Sequence, residues 1–359
     1  MDISVFTFSG GTTDVAVHQK EETGKIKEIC HSNGGDCGGT SIDNAFVCFL
    51  EKLIGFAIIQ KLKKEDPTSY LDLLREFEAI KRKVDVESTG KVNLCIPFST
   101  LNSICQKCRG KTLESIIKYS PYKNKIALRG DKIRIDVDLV KSLFNKSIER
   151  IISLVKDMDI RSASLEIPLI LLVGGFSDCK LIHHALKQAF PAKKVIVPEE
   201  AGMSVLKGAV LYGHHPEFVS SRVMRYTYGT DIYVDFNPDI HEESRKESMQ
   251  GKDKCEVFDF IIKQNSQAVI GSEIQRYYFT MYPYQTAMPI TIYVSNKESP
   301  KYVDENGCSK IGEVVVDIPK PSEEERSVVV NFVFGKTEIN VTAQELKYGL
   351  KCETHLKLL

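Results

Sequence analysis

The stretch Ile167-Pro-Leu-Ile-Leu-Leu-Val-Gly-Gly-Phe-Ser-Asp178 decides the fold. It is an apolar run of strand length that stops at two glycines, and a helical pattern follows from Cys179 to Phe190. A run this apolar predicts a strand buried on both faces, as in a parallel α/β sheet. The glycines allow a ligand to approach the backbone, and the N-terminus of the following helix favours a phosphate.

A second stretch near the start of the chain repeats this pattern. Val5-Phe-Thr-Phe-Ser-Gly-Gly-Thr-Thr-Asp14 is again an apolar strand that ends in Gly-Gly, with an aspartate three residues later. A single Gly-Gly pair more often marks a plain tight turn than a ligand site. Two pairs in the same context, however, predict a two-sided clamp for phosphate groups.

The overall composition is that of a globular protein with more than one domain. A chain of 359 residues is longer than one typical domain, so we expect about two or three. Basic and acidic residues balance at a formal net charge of zero, which argues against nucleic acid or an anionic membrane surface as the main partner. No apolar run reaches the length of a membrane span, and the first apolar stretch lacks the features of a secretion signal.

The cysteines indicate a reducing compartment. Ten cysteines without regular spacing predict free thiols, and we therefore expect a cytoplasmic location. Cys105-Gln-Lys-Cys108 is a lone CxxC, whereas a zinc site normally needs a second pair. Ordinary thiols are the favoured interpretation of this pair.

Helical periodicity dominates the segment between the two glycine turns. The pattern predicts a helix from about Thr40, another after the Asp66-Pro67 break, and a third from about Asp138 to Met158. On the second of these, Glu78, Lys81 and Arg82 share one polar face. From the spacing alone, a solvated stripe of salt bridges is the favoured explanation of that face.

The pattern changes after Gly213, and we predict a domain boundary near residues 214–226. Alternating runs separated by Pro, Gly and Asn turns then predict an antiparallel β-sandwich. These runs cover residues 257–262, 274–281, 290–294, 313–318, 328–334 and 338–343. The highly charged segment from Asp239 to Lys254 is predicted to be a mobile loop.

Several further segments match one known family in their order along the chain. Ser9-Gly-Gly-Thr-Thr-Asp14 looks like a second phosphate loop, and Gly35-Asp-Cys-Gly-Gly-Thr-Ser-Ile-Asp-Asn44 is similar to a G-D-x-x-x-G-G-x-x-x-D-N segment with a shorter loop. Phe77-Glu-Ala-Ile-Lys-Arg82 resembles an adenosine-contact helix. Leu172-Val-Gly-Gly-Phe-Ser177 resembles an adenosine loop, and a closing helix follows from Pro198. In this order the motifs resemble the 70-kDa heat-shock protein family, most closely its divergent 12A/12B branch.

The resemblance implies a fold and a ligand. The fold is an α/β actin-like ATPase lobe of the ribonuclease H-like type, followed by an antiparallel β-sandwich. Residues 1–217 would form the second nucleotide-binding lobe, with an insert subdomain at about 40–150, and residues 218–359 the substrate-binding-like sandwich. The ligand is ATP or ADP with Mg²⁺. The residues implied to bind it are Gly10, Gly11, Thr12, Asp14, Gly38, Glu78, Lys81, Arg82, Gly174 and Gly175.

The chain departs from the family pattern at positions that matter for hydrolysis. Thr7 stands where the second phosphate loop has an aspartate, and Ser9 where that loop has its first glycine. Asp178 replaces an arginine that stacks on the base. The family also has a first lobe, with its own phosphate loop and catalytic lysine, which the resemblance does not locate in this chain. Because hard cations select charged oxygens, which Thr7 cannot supply, we expect weak or lost hydrolysis.

Three functions remain open at this point. The first is a chaperone-like, ATP-binding protein that also binds extended peptides at the β domain, with candidate groove strands around residues 269–281. The second is an interaction scaffold that has lost nucleotide binding. The third is a phosphotransfer enzyme on the same actin-like fold, although such kinases duplicate the α/β lobe instead of adding a β-sandwich. Fold analogy does not decide among them.

Overall fold

The structure is a computed structural model that describes residues 2–8, 10–162, 167–334 and 338–357. The chain divides into two compact units. The lobe unit comprises Asp2–Val17 and Ser32–His214, and the β unit comprises His18–His31 and the residues from His215 onwards. Ser9, at which the sequence departs from the family's phosphate loop, lies outside the described residues.

The elements up to His214 are a mixture of strands and helices. Strands β2 and β3 cross the division between the two units. In chain order the elements are β1 (Asp2–Phe8), β2 (Thr13–Lys20), β3 (Ile26–Gly35), α1 (Gly39–Ile54), α2 (Phe56–Glu65), α3 (Pro67–Lys83), β4 (Lys91–Cys95), α4 (Phe98–Arg109), α5 (Leu113–Lys118), β5 (Ile126–Arg129), β6 (Lys132–Asp136), α6 (Val137–Ser142), α7 (Asn145–Arg161), β7 (Leu169–Val173), α8 (Lys180–Ala189), β8 (Lys194–Ile196) and α9 (Ala201–His214).

The central strands of the lobe unit are parallel and buried. Strand β1 pairs in parallel with β7, and β7 with β8, within the order β3-β2-β1-β7-β8. On β7 both faces are buried, with Leu169 and Val173 on one and Ile170 and Leu172 on the other. On β1 the face of Phe6 and Phe8 is inaccessible to solvent, whereas Val5 and Thr7 on the other face are half-buried. Thr7 pairs with Val173, so the turns that follow the two strands lie side by side at the carboxyl end of the sheet.

A mainly helical segment lies between β3 and β7. Helices α1 to α5 pack with the antiparallel sheet β4-β6-β5 around one apolar core. Phe46 on α1 stacks flat on Phe77 of α3, with ring centroids 3.9 Å apart. Gly55, at a φ of +115°, ends α1 and starts α2, so the helix predicted from Thr40 is divided there.

The single helix predicted from about Asp138 to Met158 was wrong. The chain forms two helices, α6 and α7, with a break at Leu143 and Phe144. The amides of these two residues donate to carbonyls only three residues earlier, at 3.1 Å each, so the turn tightens and the α-helical ladder is interrupted. The Ser142 hydroxyl, which donates to the Leu139 carbonyl, accompanies the break.

Apart from the parallel pairing of β9 (Val219–Val223) with β3, the β unit is built from antiparallel strand pairs. The strands that follow β9 are β10 (Thr227–Asp235), β11 (Glu247–Met249), β12 (Lys252–Ile262), β13 (Gln267–Val269), β14 (Glu273–Phe279), β15 (Ala287–Ser295), β16 (Cys308–Asp317), β17 (Ser327–Val333), β18 (Glu338–Glu345) and β19 (Lys351–Lys357). One sheet has the order β11-β12-β10-β15-β16, and another has the order β14-β17-β18-β19. Both contribute to one apolar core, which includes Ile292 of β15 and Phe332 of β17.

The prediction of a mobile loop from Asp239 to Lys254 was wrong for its second half. Strand β11 pairs with the start of β12, with Ser248 opposite Asp253. Several of the charges that suggested a loop are paired. Arg245 bonds Asp304 at 2.9 Å and lies 3.9 Å over the ring of Tyr302, and Lys246 bonds Asp253 at 3.0 Å. Pairing removes the mutual repulsion that favours disorder in a charged segment.

Across the described residues, none of the helices combines the length and apolar character that a membrane span requires.

Candidate functional site

The turn after β1 is fastened to the start of helix α1. The Gly10 carbonyl accepts hydrogen bonds from the Thr40 amide at 2.6 Å and from the Thr40 hydroxyl at 2.5 Å. The Gly38 amide donates to the Gly11 carbonyl at 3.4 Å. Gly38 is the N-cap of α1 and has no side chain to cap the helix. Two of the predicted motifs therefore form one structure, a glycine turn against a helix N-terminus.

The turn after β7 packs on the end of β1. Gly174 has a φ of +94°, and a Cβ at this position would collide with the Phe8 carbonyl oxygen. The Phe176 amide donates to that same oxygen at 3.3 Å, and the Gly174 amide donates to the Ala201 carbonyl at 2.7 Å. Position 174 therefore requires glycine for two reasons. Its backbone is left-handed, and the Phe8 carbonyl leaves no room for a side chain.

Gly39 is the point at which three predicted motifs meet. A Cβ at Gly39 would lie 3.5 Å from the Lys81 ammonium, 3.7 Å from the Gly10 carbonyl oxygen and 3.7 Å from the Phe176 ring. These neighbours belong to helix α3, the first glycine turn and the second glycine turn. Segments about 30 to 160 residues apart in the chain are thus in contact around one backbone position.

The ammonium of Lys81 is buried beneath this junction. It contacts Asp43 at 2.7 Å and Glu78 at 2.5 Å, and it donates to the Gly39 carbonyl at 3.3 Å. It also lies 5.8 Å from the centre of the Phe176 ring. An ammonium group has three protons, so these three acceptors use its donors. Lys81 therefore holds α1 and α3 together under the glycine turns.

Glu78 and Arg82 lie nearer to solvent than Lys81. The Arg82 guanidinium bonds Glu78 at 2.7 Å, and its side chain is 71% exposed. Burial would raise the pKa of Glu78, but hydrogen bonds and positive charge from Lys81 and Arg82 outweigh it and lower that pKa. Glu78 therefore stays ionised, and Arg82 remains available to contact a ligand.

The glycine turns leave open space beside the junction. Around Gly11 and Gly175 no atom lies within 4 Å of the position a Cβ would occupy, and both residues are exposed. Thr12 and Asp14 are also exposed, and the Thr12 hydroxyl donates to Asp14 at 3.2 Å. Bare backbone of this kind is what a phosphate group can approach closely.

The carboxylates near the turns do not form a metal site. In the described part of the chain no group of three or more His, Cys, Asp or Glu side chains could hold a metal ion. Asp14 is exposed beside the first turn, while Asp178 is exposed after the second. The donor set therefore suits a phosphate better than a protein-bound Mg²⁺.

Three further residues near the glycine turns lie inside the quoted motifs but were not predicted as site residues. Asp43 is a partner of Lys81 across 38 positions, and Phe176 covers the Lys81 ammonium. Cys37 is buried beside the loop, and burial raises the pKa of its thiol. Their positions in the Gly35–Asn44 and Leu172–Ser177 motifs were the available indications.

A second cluster of exposed groups lies in the β unit. Tyr277, Phe279, Tyr282 and Tyr284 are each about half exposed, on β14 and the turn after it. Tyr284 has a φ of +58°, which is costly for a bulky side chain. The segment before β12 reaches this turn, because the Gln250 amide group donates to the Met281 carbonyl at 2.7 Å. We call this cluster the aromatic rim.

Fold and site together describe an α/β lobe with paired glycine turns at the carboxyl ends of two parallel strands, and a second unit built mainly from antiparallel strands. No family model matches the sequence. The chain is 29% identical over 351 residues to human heat shock 70 kDa protein 12B, and 28% identical over 344 residues to human heat shock 70 kDa protein 12A. It is 29% identical over 346 residues to the mouse 12A protein.

These similarities cover 94% of this chain and 51% of each relative. The chain thus spans about half the length of the curated relatives it matches. The resemblance predicted from the motifs is confirmed: this chain is similar to the 12A and 12B heat shock 70 kDa proteins along 94% of its length.

Proposed function

We propose that this chain is a chaperone-like protein that binds an adenine nucleotide at the glycine turns of an actin-like lobe, with weak or lost hydrolysis. The observation that carries the proposal is the junction at Gly39, where two glycine turns, a helix N-terminus and the Lys81 helix are in contact. A glycine turn against a helix N-terminus is an arrangement that suits phosphate oxygens.

The proposed nucleotide has its phosphates at Gly10, Gly11 and Thr12, with Gly38 at the helix N-terminus, and its base and ribose beside Glu78 and Arg82. Gly174 and Gly175 approach it from the other side. Lys81 supports the site by holding Gly39 and Glu78 in position through its hydrogen bond and ion pair. Mg²⁺ bound with the nucleotide would neutralise part of the negative charge of its phosphates. Thr7 supplies no carboxylate for that ion, which is the reason hydrolysis is proposed to be weak.

The β unit is proposed to bind extended, apolar peptide segments at the aromatic rim, in a substrate-binding β-sandwich. β14 is the first strand of its sheet order, and the structure gives it a ladder only with β17 among the described residues. An edge strand next to exposed aromatic side chains suits a peptide that adds backbone hydrogen bonds and inserts apolar side chains.

The nucleotide proposal is tested by thermal unfolding with Mg-ATP, Mg-ADP and Mg-GTP. A ligand at about 100 times its dissociation constant stabilises the folded protein by about 2.7 kcal/mol. We expect a shift that is specific for adenine and smaller in Arg82→Ala. Arg75→Ala is the matched control, because both arginines lie on α3, are 71% and 75% exposed, and pair with one carboxylate each.

A nucleotide-independent scaffold is the second candidate, and one observation favours it. All three donors of Lys81 are already satisfied by the protein, so this lysine needs no ligand. A cooperatively folded chain whose unfolding temperature does not respond to any nucleotide would establish the scaffold and reject the nucleotide proposal.

Peptide binding is tested separately by fluorescence anisotropy with a labelled, extended apolar peptide. We expect Tyr282→Ser with Tyr284→Ser to weaken binding, since both side chains are about half exposed on the rim. Leu346→Ser with Leu350→Ser, equally exposed near the β18–β19 turn, is the control pair. Equal losses in both pairs would contradict a site at the aromatic rim.

A further inference from the structure

A cavity of about 490 Å³ lies in the lobe unit where α1 ends and α4 leads into α5. Its lining includes Lys52, Arg109, Lys111, Ser115 and Tyr119, and we call it the basic cavity. Its volume falls within the range of small-molecule sites in proteins. None of the residues implied to bind nucleotide lines it.

Among the described residues, none pairs with the positively charged side chains of the basic cavity. Lys52, Arg109 and Lys111 have neither an ion pair nor a side-chain hydrogen bond within the described ranges. Glu51 and Glu114 are nearby in sequence, but neither lines the cavity, and Glu51 accepts a hydrogen bond from Gln60. Residues 98–130 contain seven Lys or Arg and one acidic residue, in a chain whose net charge is zero. The excess charge is therefore local.

Helix ends explain part of this arrangement. Lys52 lies in the last turn of α1 and Arg109 in the last turn of α4, where a cation offsets the partial negative charge of the helix C-terminus. Lys111 lies beyond the end of α4, so this effect does not account for it. It also does not explain why side chains from two separate helices and the following loop converge on one cavity.

A glycine allows Arg109 to reach the cavity wall. Gly55 follows the last turn of α1, and a Cβ at Gly55 would collide with the Arg109 guanidinium. The guanidinium therefore lies against bare backbone at the end of the helix that carries Lys52. Arg109 and Lys52 both line the cavity.

We propose that the basic cavity binds a small polyol that carries two or more phosphate groups. A phosphate monoester carries a charge of about −1.5 to −2 near pH 7, so about two such groups balance three cations. Arginine and lysine are the side chains that bind phosphate most effectively, and the Ser115 side chain adds a hydroxyl. The ligand is either a free phosphorylated polyol or the headgroup of a membrane lipid. This inference does not rest on the proposed nucleotide site.

Isothermal titration calorimetry of the full chain with inositol trisphosphate, and with unphosphorylated inositol, tests the proposal. We expect the trisphosphate alone to bind, and Arg109→Glu to weaken it by about tenfold or more. Lys107→Glu is the matched control, since it makes the same charge change on the same helix but lies outside the cavity. It should change the affinity by less than about twofold.

Two results would overturn the proposal. One is that the folded chain does not bind the trisphosphate. The other is that Lys107→Glu loses as much affinity as Arg109→Glu, which would indicate non-specific electrostatic attraction. If Arg109→Glu does not fold, Arg109→Gln removes the charge alone and takes its place, with the same expectation of weaker binding. The nucleotide-dependent thermal shift, if present, should be unchanged in Arg109→Glu, so failure of this proposal is distinguishable from failure of the proposed function.

Vesicle sedimentation distinguishes the two sources of the ligand. Phosphatidylcholine vesicles with phosphatidylinositol bisphosphate are compared with phosphatidylserine vesicles of equal charge. Sedimentation only with the bisphosphate vesicles, abolished by Arg109→Glu, assigns the lipid headgroup. Binding of the soluble trisphosphate without sedimentation assigns a free polyol. Equal sedimentation with phosphatidylserine vesicles would contradict a cavity that recognises clustered phosphates.

Discussion

Lys81 joins α1 and α3 through one ammonium group that is almost entirely buried, with 4% of its side chain exposed. Its two carboxylate partners are 32% and 39% exposed, so they remain partly hydrated. Replacing Lys81 by Met removes the positive charge and leaves Asp43 and Glu78 close together. We expect a loss of about 1–3 kcal/mol in the free energy of unfolding, below the usual cost of breaking a fully buried pair.

Urea unfolding at neutral pH measures this loss, and Lys83→Met is the control. Lys83 lies on the same helix but is exposed, so its replacement should change stability by less than about 0.5 kcal/mol. Equal effects of the two variants would contradict a bracing role for Lys81.

The pH dependence follows from Glu78. Its pKa is lowered in the folded protein, so its contribution to stability is present above the pKa of the unfolded chain and is lost as pH falls through the folded value. The stability difference between the parent protein and Lys81→Met should therefore shrink as the pH falls below about 4. Urea midpoints measured from pH 7 downward test this, and a difference that grows on acidification would contradict the argument.

Gly174 and Gly175 give a matched pair of alanine substitutions. At Gly174 a Cβ meets the Phe8 carbonyl oxygen and the φ of +94° is unfavourable, so Gly174→Ala should cost at least about 2 kcal/mol. At Gly175 no atom lies within 4 Å of the added Cβ, and the cost should stay below about 0.5 kcal/mol. Thermal unfolding of the two variants tests this prediction. Similar losses of stability in both would show that the backbone conformation and close contact at Gly174 do not matter.

Residue patterns identified the glycine turns but not the contacts between them. Gly174 was predictable because a buried strand must turn where an apolar run stops. The partners of Lys81 were not, because Asp43 lies 38 positions away and only the folded chain brings it close. Whether Lys81, Glu78 and Arg82 contact a nucleotide stays a prediction.

At the scale of elements, α8 and α9 differ in how they are covered. Leu186 on α8 is inaccessible to solvent, whereas Leu206 on α9 is 57% exposed. Val210 and Leu211, also on α9, are exposed to a similar extent. Leu186→Ala should therefore cost about 2–5 kcal/mol, and Leu206→Ala less than about 0.5 kcal/mol. Urea unfolding of both variants tests this, and a large loss from Leu206→Ala would mean that α9 is covered in solution.

Strands and helices were predicted correctly where the hydrophobic periodicity is strong. They were missed where contacts with other parts of the chain determine the local structure. The strands β12, β14, β15, β16, β17 and β18 were predicted from alternation, and the structure contains each of them. Strand β11 was missed because its charges resemble a solvated loop, and only its ladder to β12 makes it a strand. The break between α6 and α7 was missed because no Pro or Gly marks it in the sequence.

At the scale of the whole molecule, each unit has its own apolar core. The first core is built from α1 to α5 and the sheet β4-β6-β5, and the second from the strands of the β unit. The sequence predicted a change of character after Gly213. It gave no sign that His18–His31 would join the β unit, since that association depends on pairing between β3 and β9, about 190 residues apart.

Two separate cores predict two transitions in calorimetry, because chains with more than one unit often depart from two-state unfolding. Phe77→Leu and Phe332→Leu each remove a fully buried ring from one core, at a cost of about 1 kcal/mol. We expect each variant to lower the midpoint temperature of one transition by about 2–4 °C and to leave the other unchanged.

Under the proposed function, an adenine nucleotide should raise the midpoint temperature of only the transition that Phe77→Leu lowers. A single transition that both variants lower equally would contradict separate unfolding, and a nucleotide shift confined to the Phe332 transition would contradict the site at the glycine turns.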